Sequence, residues 1–433
     1  MYPNQGEIKN RWGAMKLIDS TRQRLIALIL LAIMPLLTAC DEVSVVVTDG
    51  EDPEVVIPPP DPDAPVTSPI LLSLGDLNGD GIQDIAVVID DVAGGKLTAT
   101  VKGIDGNVVQ RLPYNGEFRL QTAMVLPDMN GDGGVELAVF GRRADPVGMR
   151  VEIRDPLAGG LIRNIFFSNE NTLLFTTPVD DLNGDSYPEI TALLEGPQPE
   201  GLLFGQSVDP LAGGVINNVF FDNAWPAVDF ISLPDINSSG SPEFALLGHN
   251  VSGEYRALVR DAGNSQFVNN ISYGSQYTLL QLAALPDMNG NGIEELAALR
   301  QDNAVSIQIN DAFNGTRISV VRFNPLFTPL KFVVVSDFNG NGAPELALLS
   351  KNTSTGEVKA EVRDAMTGVL LSNVWWTRDY PALDIVTIPD TNGNGAEELV
   401  ALGKRESDGK LLVLVKDSKT NQLLGTVGFK NQP

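Results

Sequence analysis

The sequence predicts an all-β protein, a seven-bladed β-propeller of four-stranded antiparallel blades. One unit recurs seven times along residues 70–433. Each copy holds four short apolar stretches, rich in Leu and β-branched residues and separated by Gly, Asn, Asp and Pro, which is typical of strands joined by tight turns. The same range lacks the 3.6-residue apolar periodicity of amphipathic helices.

Two markers define the repeated unit. The first is the pattern Asp-x-Asn-Gly-Asp/Asn-Gly-x-x-Asp/Glu followed by an apolar run, which recurs at intervals of 50 to 54 residues. Its first residues are Asp76, Asp128, Asp181, Asp235, Asp287, Asp337 and Asp390. The second marker is an Asp that opens a turn 24 to 29 residues later: Asp105, Asp155, Asp209, Asp261, Asp311, Asp364 and Asp417. Two markers that keep step through seven copies indicate a repeat architecture.

The last repeat shows how one unit makes one blade. Its apolar stretches are LDIVTIP, ELVALG, KLLVLVK and LLGTVGF. Four such strands with their turns account for the period, and radial repetition of a four-stranded sheet makes a propeller whose closure protects the sheet edges. The sequence leaves open whether blades coincide with repeats or whether one swapped strand closes the ring.

Residues 1–39 are predicted to be a lipoprotein signal peptide. An apolar segment at 25–39 follows Arg22 and Arg24, and it has the length of a signal-peptide core rather than of a membrane span. Leu37-Thr38-Ala39-Cys40 resembles the bacterial lipobox, which implies acylation of Cys40. An uncleaved signal anchor that ends in an incidental Cys is the alternative. The expected location is that of an exported bacterial lipoprotein, on the periplasmic side of the inner membrane or in the outer membrane or at the cell surface.

Residues 40–69 are predicted to be a lipid-anchored, acidic, Pro-rich tether. The stretch VVIPPPDPDAPVTSP is typical of an extended spacer, because proline stiffens the chain. The propeller then occupies residues 70–433.

Composition excludes several classes of function. The formal net charge of -25 argues against nucleic acid as a partner, because phosphate binding needs clustered Lys and Arg. His249 is the only His and Cys40 the only Cys, which argues against Ser-His or Cys-His catalysis and against a His-ligated metal site. With a single Cys, no disulfide can form within the chain. Separately, we expect the protein to be a monomer.

The repeats resemble FG-GAP/VCBS-type repeats, which build the seven-bladed propeller of integrin α subunits and of many bacterial surface proteins. The resemblance covers about residues 70–433. It implies a calcium loop between the first two strands of each blade.

Oxygen-bearing side chains at positions 1, 3, 5 and 9 of each loop, with the backbone carbonyl at position 7, are typical ligands of a hard cation such as calcium. The predicted ligands of the first three loops are Asp76, Asn78, Asp80, Ile82 and Asp84; Asp128, Asn130, Asp132, Gly134 and Glu136; and Asp181, Asn183, Asp185, Tyr187 and Glu189. Those of the other four are Asp235, Asn237, Ser239 and Glu243; Asp287, Asn289, Asn291, Ile293 and Glu295; Asp337, Asn339, Asn341, Ala343 and Glu345; and Asp390, Asn392, Asn394, Ala396 and Glu398. We expect several calcium ions, up to seven.

The loops differ at position 5. An acid stands there in loops one to three, whereas Ser or Asn replaces it in loops four to seven. Lower ligand charge predicts lower calcium affinity in the last four loops. The alternative is that these segments are hydrogen-bonded Asx turns that need no metal.

Aromatic residues recur in two further registers. One set follows the second marker and is interpreted as packing between blades: Tyr114, Phe167, Phe221, Tyr273, Phe323, Trp376 and Phe429. The other stands ten residues before the loop Asp, where one blade crosses to the next: Phe118, Trp225, Tyr277, Phe327 and Tyr380. This second set is either wedged between blades or forms a ligand-binding face, since Trp and Tyr are enriched at recognition surfaces.

The sequence favours a non-enzymatic binding or adhesion module for an unknown protein or glycan, held at the membrane by its lipid. A calcium-dependent polysaccharide lyase or hydrolase is the alternative, and an envelope assembly scaffold is a third possibility. The clear carboxylate signatures all belong to the metal loops, which weighs against an enzyme that uses carboxylates as acid and base.

Overall fold

In a computed structural model, residues 68–144, 147–168, 170–197 and 201–429 are described. They form seven four-stranded antiparallel sheets, each made of four strands consecutive in sequence. The prediction of a seven-bladed β-propeller is confirmed. Cys40, the predicted signal peptide and residues 40–67 lie outside the described residues.

Each blade begins with the strand that precedes an Asp loop. The strands of blades 1 to 3 are β1 Ile70–Gly75, β2 Asp84–Asp91, β3 Lys96–Gly103 and β4 Val108–Tyr114; β5 Arg119–Leu126, β6 Glu136–Ala144, β7 Val147–Arg154 and β8 Leu161–Phe167; and β9 Thr172–Val179, β10 Glu189–Glu195, β11 Leu203–Val208 and β12 Val215–Phe221.

Blades 4 to 7 repeat the order. Their strands are β13 Ala227–Leu233, β14 Glu243–His249, β15 Tyr255–Asp261 and β16 Phe267–Gly274; β17 Thr278–Leu285, β18 Glu295–Gln301, β19 Val305–Asp311 and β20 Arg317–Phe323; β21 Thr328–Val335, β22 Glu345–Lys351, β23 Val358–Asp364 and β24 Leu370–Trp376; and β25 Ala382–Ile388, β26 Glu398–Lys404, β27 Leu411–Asp417 and β28 Leu423–Phe429.

The ring closes without a swapped strand, which answers the question that the sequence left open. Blades coincide with sequence repeats, and the last blade packs directly on the first. Leu71 and Val87 of blade 1 share one buried cluster with Val400 and Val413 of blade 7. Within the described residues, the joint between the last and first repeats is therefore a packing contact like the other joints.

The hydrophobic core lies between blades. Second strands are buried on both faces, as in β18, whose residues Glu295 to Arg300 are all buried. Their continuous apolar runs follow from packing of a neighbouring sheet on each side. Fourth strands form the outer edge and alternate between buried and exposed residues, for example in β24.

The direction of the strands defines two faces. The loops between first and second strands and the turns between third and fourth strands lie together on one face, which we call the loop face. The turns between second and third strands and the connections between blades lie on the other, which we call the crossover face. Antiparallel order alone requires this separation.

Candidate functional site

The position-1 Asp organises each loop on the loop face. In the second loop, Asp128 Oδ1 accepts the backbone N–H of Gly131 at 2.6 Å and Asp128 Oδ2 accepts that of Gly133 at 2.8 Å. These bonds favour the carboxylate, so they lower the pKa of Asp128 below its ordinary value. The equivalent residue accepts backbone N–H groups in every loop: Asp76, Asp181, Asp235, Asp287, Asp337 and Asp390.

Two loops adopt the same turn with a side chain at a strained position. Glycines occupy the left-handed positions of most loops, such as Gly131 and Gly133. Ser186 in the third loop and Ser238 in the fourth have φ of 75° and 62°, where non-glycine residues are uncommon. The Asp hydrogen bonds therefore hold the loop shape even where glycine is missing.

The position-9 acid links the end of each loop to its beginning by a hydrogen bond. It starts the second strand, is buried, and accepts the backbone N–H of position 2, as Glu189 Oε2 does from Leu182 at 2.7 Å. Burial, followed by the nearby loop carboxylates, raises the pKa of this acid to about 7 in five loops, at Glu136, Glu189, Glu243, Glu295 and Glu345. The pKa values of Asp84 and Glu398 are raised for the same first reason.

Some of these buried acids keep an oxygen without a hydrogen-bond donor. Asp84 is 1% exposed, and its Oδ1 has no hydrogen-bond partner. Glu243 Oε1 and Glu398 Oε2 are in the same state. A buried carboxylate oxygen without a donor is costly, and a bound cation would satisfy it.

Three loop carboxylates converge in the third loop. Oxygens of Asp181, Asp185 and Glu189 all lie within 4.8 Å of one another. Three carboxylates brought together in this way are the ligands that a hard cation such as calcium prefers. The residues present therefore fit the ion that the sequence predicted.

The second-marker Asp belongs to the same site, which the sequence reading missed. Strand register sets Glu243 opposite Asp261, Glu295 opposite Asp311, Glu345 opposite Asp364 and Glu398 opposite Asp417. The Oδ1 atom of this Asp accepts backbone N–H groups of its own turn, as in Asp311 with Phe313 and Asn314. In loops four to seven, its Oδ2 atom accepts a hydrogen bond from an Asn side chain of the Asp loop. The order of strands within one repeat is the signal that could have placed both markers on one face.

In loops five to seven, Asn side-chain amides donate hydrogen bonds to the Oδ2 atom of the second-marker Asp. Asn289 Nδ2 and Asn291 Nδ2 both donate to Asp311 Oδ2, at 3.0 and 2.5 Å. The same pair of contacts joins Asn339 and Asn341 to Asp364, and Asn392 and Asn394 to Asp417. Burial alone would raise the pKa of Asp364, but hydrogen bonds from Thr367, Asn339 and Asn341 bring it below the ordinary value.

The position-7 residues contribute their backbone to the loop. The N–H of Ile82, for example, donates to Asp80 Oδ1 at 2.8 Å. The equivalent bond is made by Gly134, Tyr187, Ile293, Ala343 and Ala396. Position 5 thus receives an N–H from position 7 whether it is Asp or Asn.

The aromatic residues of the predicted ligand face divide into two groups. Phe118 and Phe327 are 4% and 6% exposed, which places them inside the blade packing. Trp225, Tyr277 and Tyr380 are partly exposed on the crossover face. A recognition surface there has three aromatic residues available rather than five.

An Arg or Lys side chain lies near each of these five aromatic rings, a contact that the sequence analysis did not predict. Arg150 lies 4.2 Å from the ring centre of Phe118 and Arg300 lies 4.3 Å from that of Tyr277. The other pairs are Trp225 with Arg256, Phe327 with Lys359 and Tyr380 with Arg405. Such cation–π contacts stabilise the connections between blades.

The fourth-strand aromatic residues are all buried, as their interpretation as packing residues required. Their exposure ranges from 3% for Tyr273 to 7% for Phe221. His249 is half-buried beside Tyr255, with ring centres 5.3 Å apart.

A cleft of about 420 Å³ opens on the crossover face between blades 6 and 7. Lys351, Arg378 and Arg405 line it, together with Asp379 and Pro381 on either side of Tyr380. This cleft lies beside the partly exposed Tyr380.

No protein-family model matches this sequence, and no curated protein with a similar sequence is found. Solved structures share the fold. BBS1N in complex with ARL6DN, in crystals soaked with lead, is 13% identical with a TM-score of 0.53, covering 84% of this chain and 97% of that chain. The dihydro-heme d1 dehydrogenase NirN in complex with DHE is 14% identical with a TM-score of 0.50, covering 82% and 66%.

A structure from a study of two prolyl endopeptidases is 11% identical with a TM-score of 0.52, covering 85% of this chain and 51% of that chain. At these identities the likeness shows the propeller fold alone. Because enzymes and BBS1N appear together among the similar structures, the fold does not decide whether this chain is an enzyme.

Among the described residues there is no helix long and apolar enough to span a membrane.

Proposed function

We propose that this chain is a lipid-anchored, calcium-binding β-propeller that serves as a non-enzymatic binding or adhesion module at the bacterial envelope. The observation that carries the proposal is the convergence of Asp181, Asp185 and Glu189 within 4.8 Å on the loop face. The resemblance of the repeats to the FG-GAP/VCBS type supports the same conclusion.

Calcium is the ion that best suits these loops. Carboxylates and backbone carbonyls are the ligands it prefers, and its coordination tolerates the irregular spacing of a loop. The oxygen of Asp84 without a donor adds a second reason, because a cation in the first loop would satisfy it. The ions would act as structural ties in a domain that has no disulfide.

The lipid anchor is inferred from Cys40 and the apolar segment before it. In a bacterium that processes lipoproteins, Cys40→Ala should abolish labelling by a fatty-acid analogue and release the protein from the membrane fraction. A variant that stayed membrane-bound through residues 25–39 would indicate a signal anchor instead.

The ligand is proposed to be a protein or glycan of the envelope, bound at the crossover face. Trp225, Tyr277 and Tyr380 with the cleft beside Tyr380 offer aromatic surfaces next to cations, which suits sugars and acidic groups. The test is capture from envelope extract with the acylated protein, comparing Tyr380→Ala with the wild type. Unchanged capture by Tyr380→Ala and by a Trp225→Ala variant would move the binding site elsewhere.

Calcium binding itself is tested by titration of the stripped protein. Saturable binding with a rise in melting temperature is expected, since a ligand at 100 times its Kd adds about 2.7 kcal/mol per site when only the folded state binds. A melting curve that calcium leaves unchanged would overturn this part of the proposal.

A further inference from the structure

The seven first strands surround the axis of the propeller, since each contacts the first strands of both neighbouring blades. The residue five places before each loop Asp lies opposite the residue eleven places after it, with the same register in every blade. At this position the backbone N–H points away from its own sheet, as that of Leu282 does when it bonds to Asp229 of the preceding blade. We call these the axial N–H groups, and they belong to Leu71, Ala123, Thr176, Phe230, Leu282, Phe332 and Ile385.

Side-chain oxygens accept five of the axial N–H groups. Asp229 Oδ1 accepts the N–H of Phe230 in its own blade at 2.8 Å, and Asp229 Oδ2 accepts that of Leu282 in the next blade at 2.7 Å. One carboxylate therefore joins two neighbouring first strands. The other acceptors are Asp384, for Ile385 and Leu71, and Gln281, for Phe332.

The two axial N–H groups that remain are neighbours, Ala123 in blade 2 and Thr176 in blade 3. No side chain of the residues that the structure describes accepts either of them. Thr122 occupies the place that Asp229 has in blade 4, and its single hydroxyl oxygen replaces the two oxygens of the carboxylate. Because an N–H group without an acceptor is costly away from water, this joint favours a molecule that brings acceptors of its own.

A cavity of about 230 Å³ lies at the same joint. The half-buried Thr122 and Thr176 both line it, and no hydrogen bond ties either hydroxyl to another described residue. Uncharged side chains form the whole lining: Gln121, Thr122, Leu173, Leu174, Phe175 and Thr176. The cavity thus combines a few polar groups with an apolar wall, as small-molecule sites usually do.

We propose that this cavity binds a small carboxylate with a short apolar body. Its two oxygens accept the N–H groups of Ala123 and Thr176, as Asp229 accepts the equivalent groups of blades 4 and 5. Hydrogen bonds to an ionised acceptor are stronger than neutral ones, and no acid in the lining repels the ligand. The apolar body packs on Leu174 and Phe175. This site is separate from the envelope ligand proposed above and does not depend on calcium.

Sodium butyrate is the probe, and butyramide, which has nearly the same size but no charge, is its control. Each is titrated by calorimetry into the full chain in saturating calcium. We expect saturable binding of butyrate and much weaker binding of butyramide, which offers one acceptor oxygen instead of two. Absence of saturable butyrate binding, or equal binding of the two probes, would overturn the proposal.

Thr122→Asp gives blade 2 the carboxylate that Asp229 gives blade 4. We expect the new side chain to accept the N–H groups of Ala123 and Thr176, to raise the melting temperature and to weaken butyrate binding on the order of a hundredfold. Thr122→Val is the control, because it keeps both N–H groups and nearly the same volume, and it should still bind butyrate. Butyrate binding as tight in Thr122→Asp as in the wild type would place the ligand elsewhere.

Leu174→Trp tests the site from its apolar side and remains informative if Thr122→Asp does not fold. The indole should fill the cavity and abolish butyrate binding. Leu280 holds the corresponding β-bulge position in blade 5, so Leu280→Trp is the matched control and should bind butyrate as the wild type does. Melting curves show whether each variant is folded. Equal butyrate binding by the two folded Trp variants would exclude this cavity as the site.

Discussion

The backbone N–H of Leu71 donates to Asp384 Oδ2 at 3.2 Å, which joins the first strand of blade 1 to the first strand of blade 7 across 313 residues of sequence. The same joint occurs within the ring. Leu282 N–H donates to Asp229 Oδ2 at 2.7 Å, and Phe332 N–H donates to Gln281 Oε1 at 2.8 Å. Closure of the propeller thus reuses a contact that blades 4 and 5 already make with their successors.

Replacing Asp384 is predicted to destabilise the contact between blades 7 and 1. Asp384 also pairs with Lys331 Nζ at 2.6 Å. Asp384→Ala leaves the Leu71 N–H without an acceptor at the first-strand joint, so we expect a loss of about 1–3 kcal/mol in the free energy of unfolding. Asp384→Asn keeps an acceptor and should lose less. Denaturant unfolding in calcium measures both.

Asp408→Ala is the control for Asp384→Ala, because it also removes an acid paired with a cation, but at an exposed site on the crossover face. Surface pairs contribute little, so its unfolding midpoint should stay near that of the wild type. Equal losses in the two variants would mean that the Leu71 joint does not contribute to closure.

Asp80→Asn gives the first loop an Asn at position 5, as in loops five to seven, and is predicted to make the two kinds of loop behave alike. The new amide can donate to Asp105 as Asn291 does to Asp311, and one of the crowded carboxylates is gone. The stripped protein should therefore melt at a higher temperature. Calcium affinity at this loop should fall by on the order of tenfold, because ligand charge decreases. Asp302→Asn, in a crossover-face turn, is the matched charge change and should leave calcium titration unaltered.

Asn341→Asp is predicted to do the reverse in the sixth loop. It replaces the amide that donates to Asp364 with a carboxylate beside Asp364. We expect a lower melting temperature without calcium and recovery when calcium is added. Asn352→Asp makes the same change in a crossover-face turn of the same blade, where Asn352 Oδ1 accepts the N–H of Ser354. Calcium recovery in both variants, or in neither, would contradict a metal site in this loop.

The stripped protein is predicted to become more stable as the pH falls from about 7 toward 4.5. Burial raises the pKa of Glu136, Glu189, Glu243, Glu295 and Glu345 to about 7 in the folded state, against an ordinary value of 4.5. Between these values the folded state binds more protons than the unfolded state, so its stability rises as protons are added.

Two features complete this pH profile. The position-1 acids with lowered pKa values, such as Asp128, oppose the trend only when the pH falls below the ordinary value of 3.8. Saturating calcium should flatten the rise, because the cation favours the ionised glutamates. Melting temperatures across the pH range, with and without calcium, provide the measurement. Stability that increases with pH in the stripped protein would contradict the raised pKa values.

Gly141→Ala is predicted to destabilise the second blade. A Cβ at this position would lie 2.7 Å from Phe118 Cβ, closer than such atoms approach. Displacing Phe118 also disturbs its contact with Arg150, so we expect a loss of about 1–3 kcal/mol. Gly428→Ala is the matched control, because a Cβ there meets no atom within 4 Å. Similar melting curves for both variants would show that the Phe118 site has room to adjust.

Local sequence determined the repeat, the strands and the Asp loops. The residues of each loop are close together along the chain, and Asp at position 1 with glycines at the turning positions specifies one loop conformation. The periodic apolar runs then specify four strands per repeat, which is why β1 to β28 follow the predicted pattern from Ile70 to Phe429.

Only the tertiary structure decided which residues share a site across strands and blades. Asp311 joins the fifth loop through the register of β18 with β19, and Asp384 meets Leu71 through closure of the ring. The crossover aromatic residues look alike in sequence, yet Phe118 is buried while Tyr380 stays partly exposed. The physical reason is that these outcomes depend on contacts between distant segments, where register and the packing of neighbouring blades, rather than local preference, set the distance and the burial.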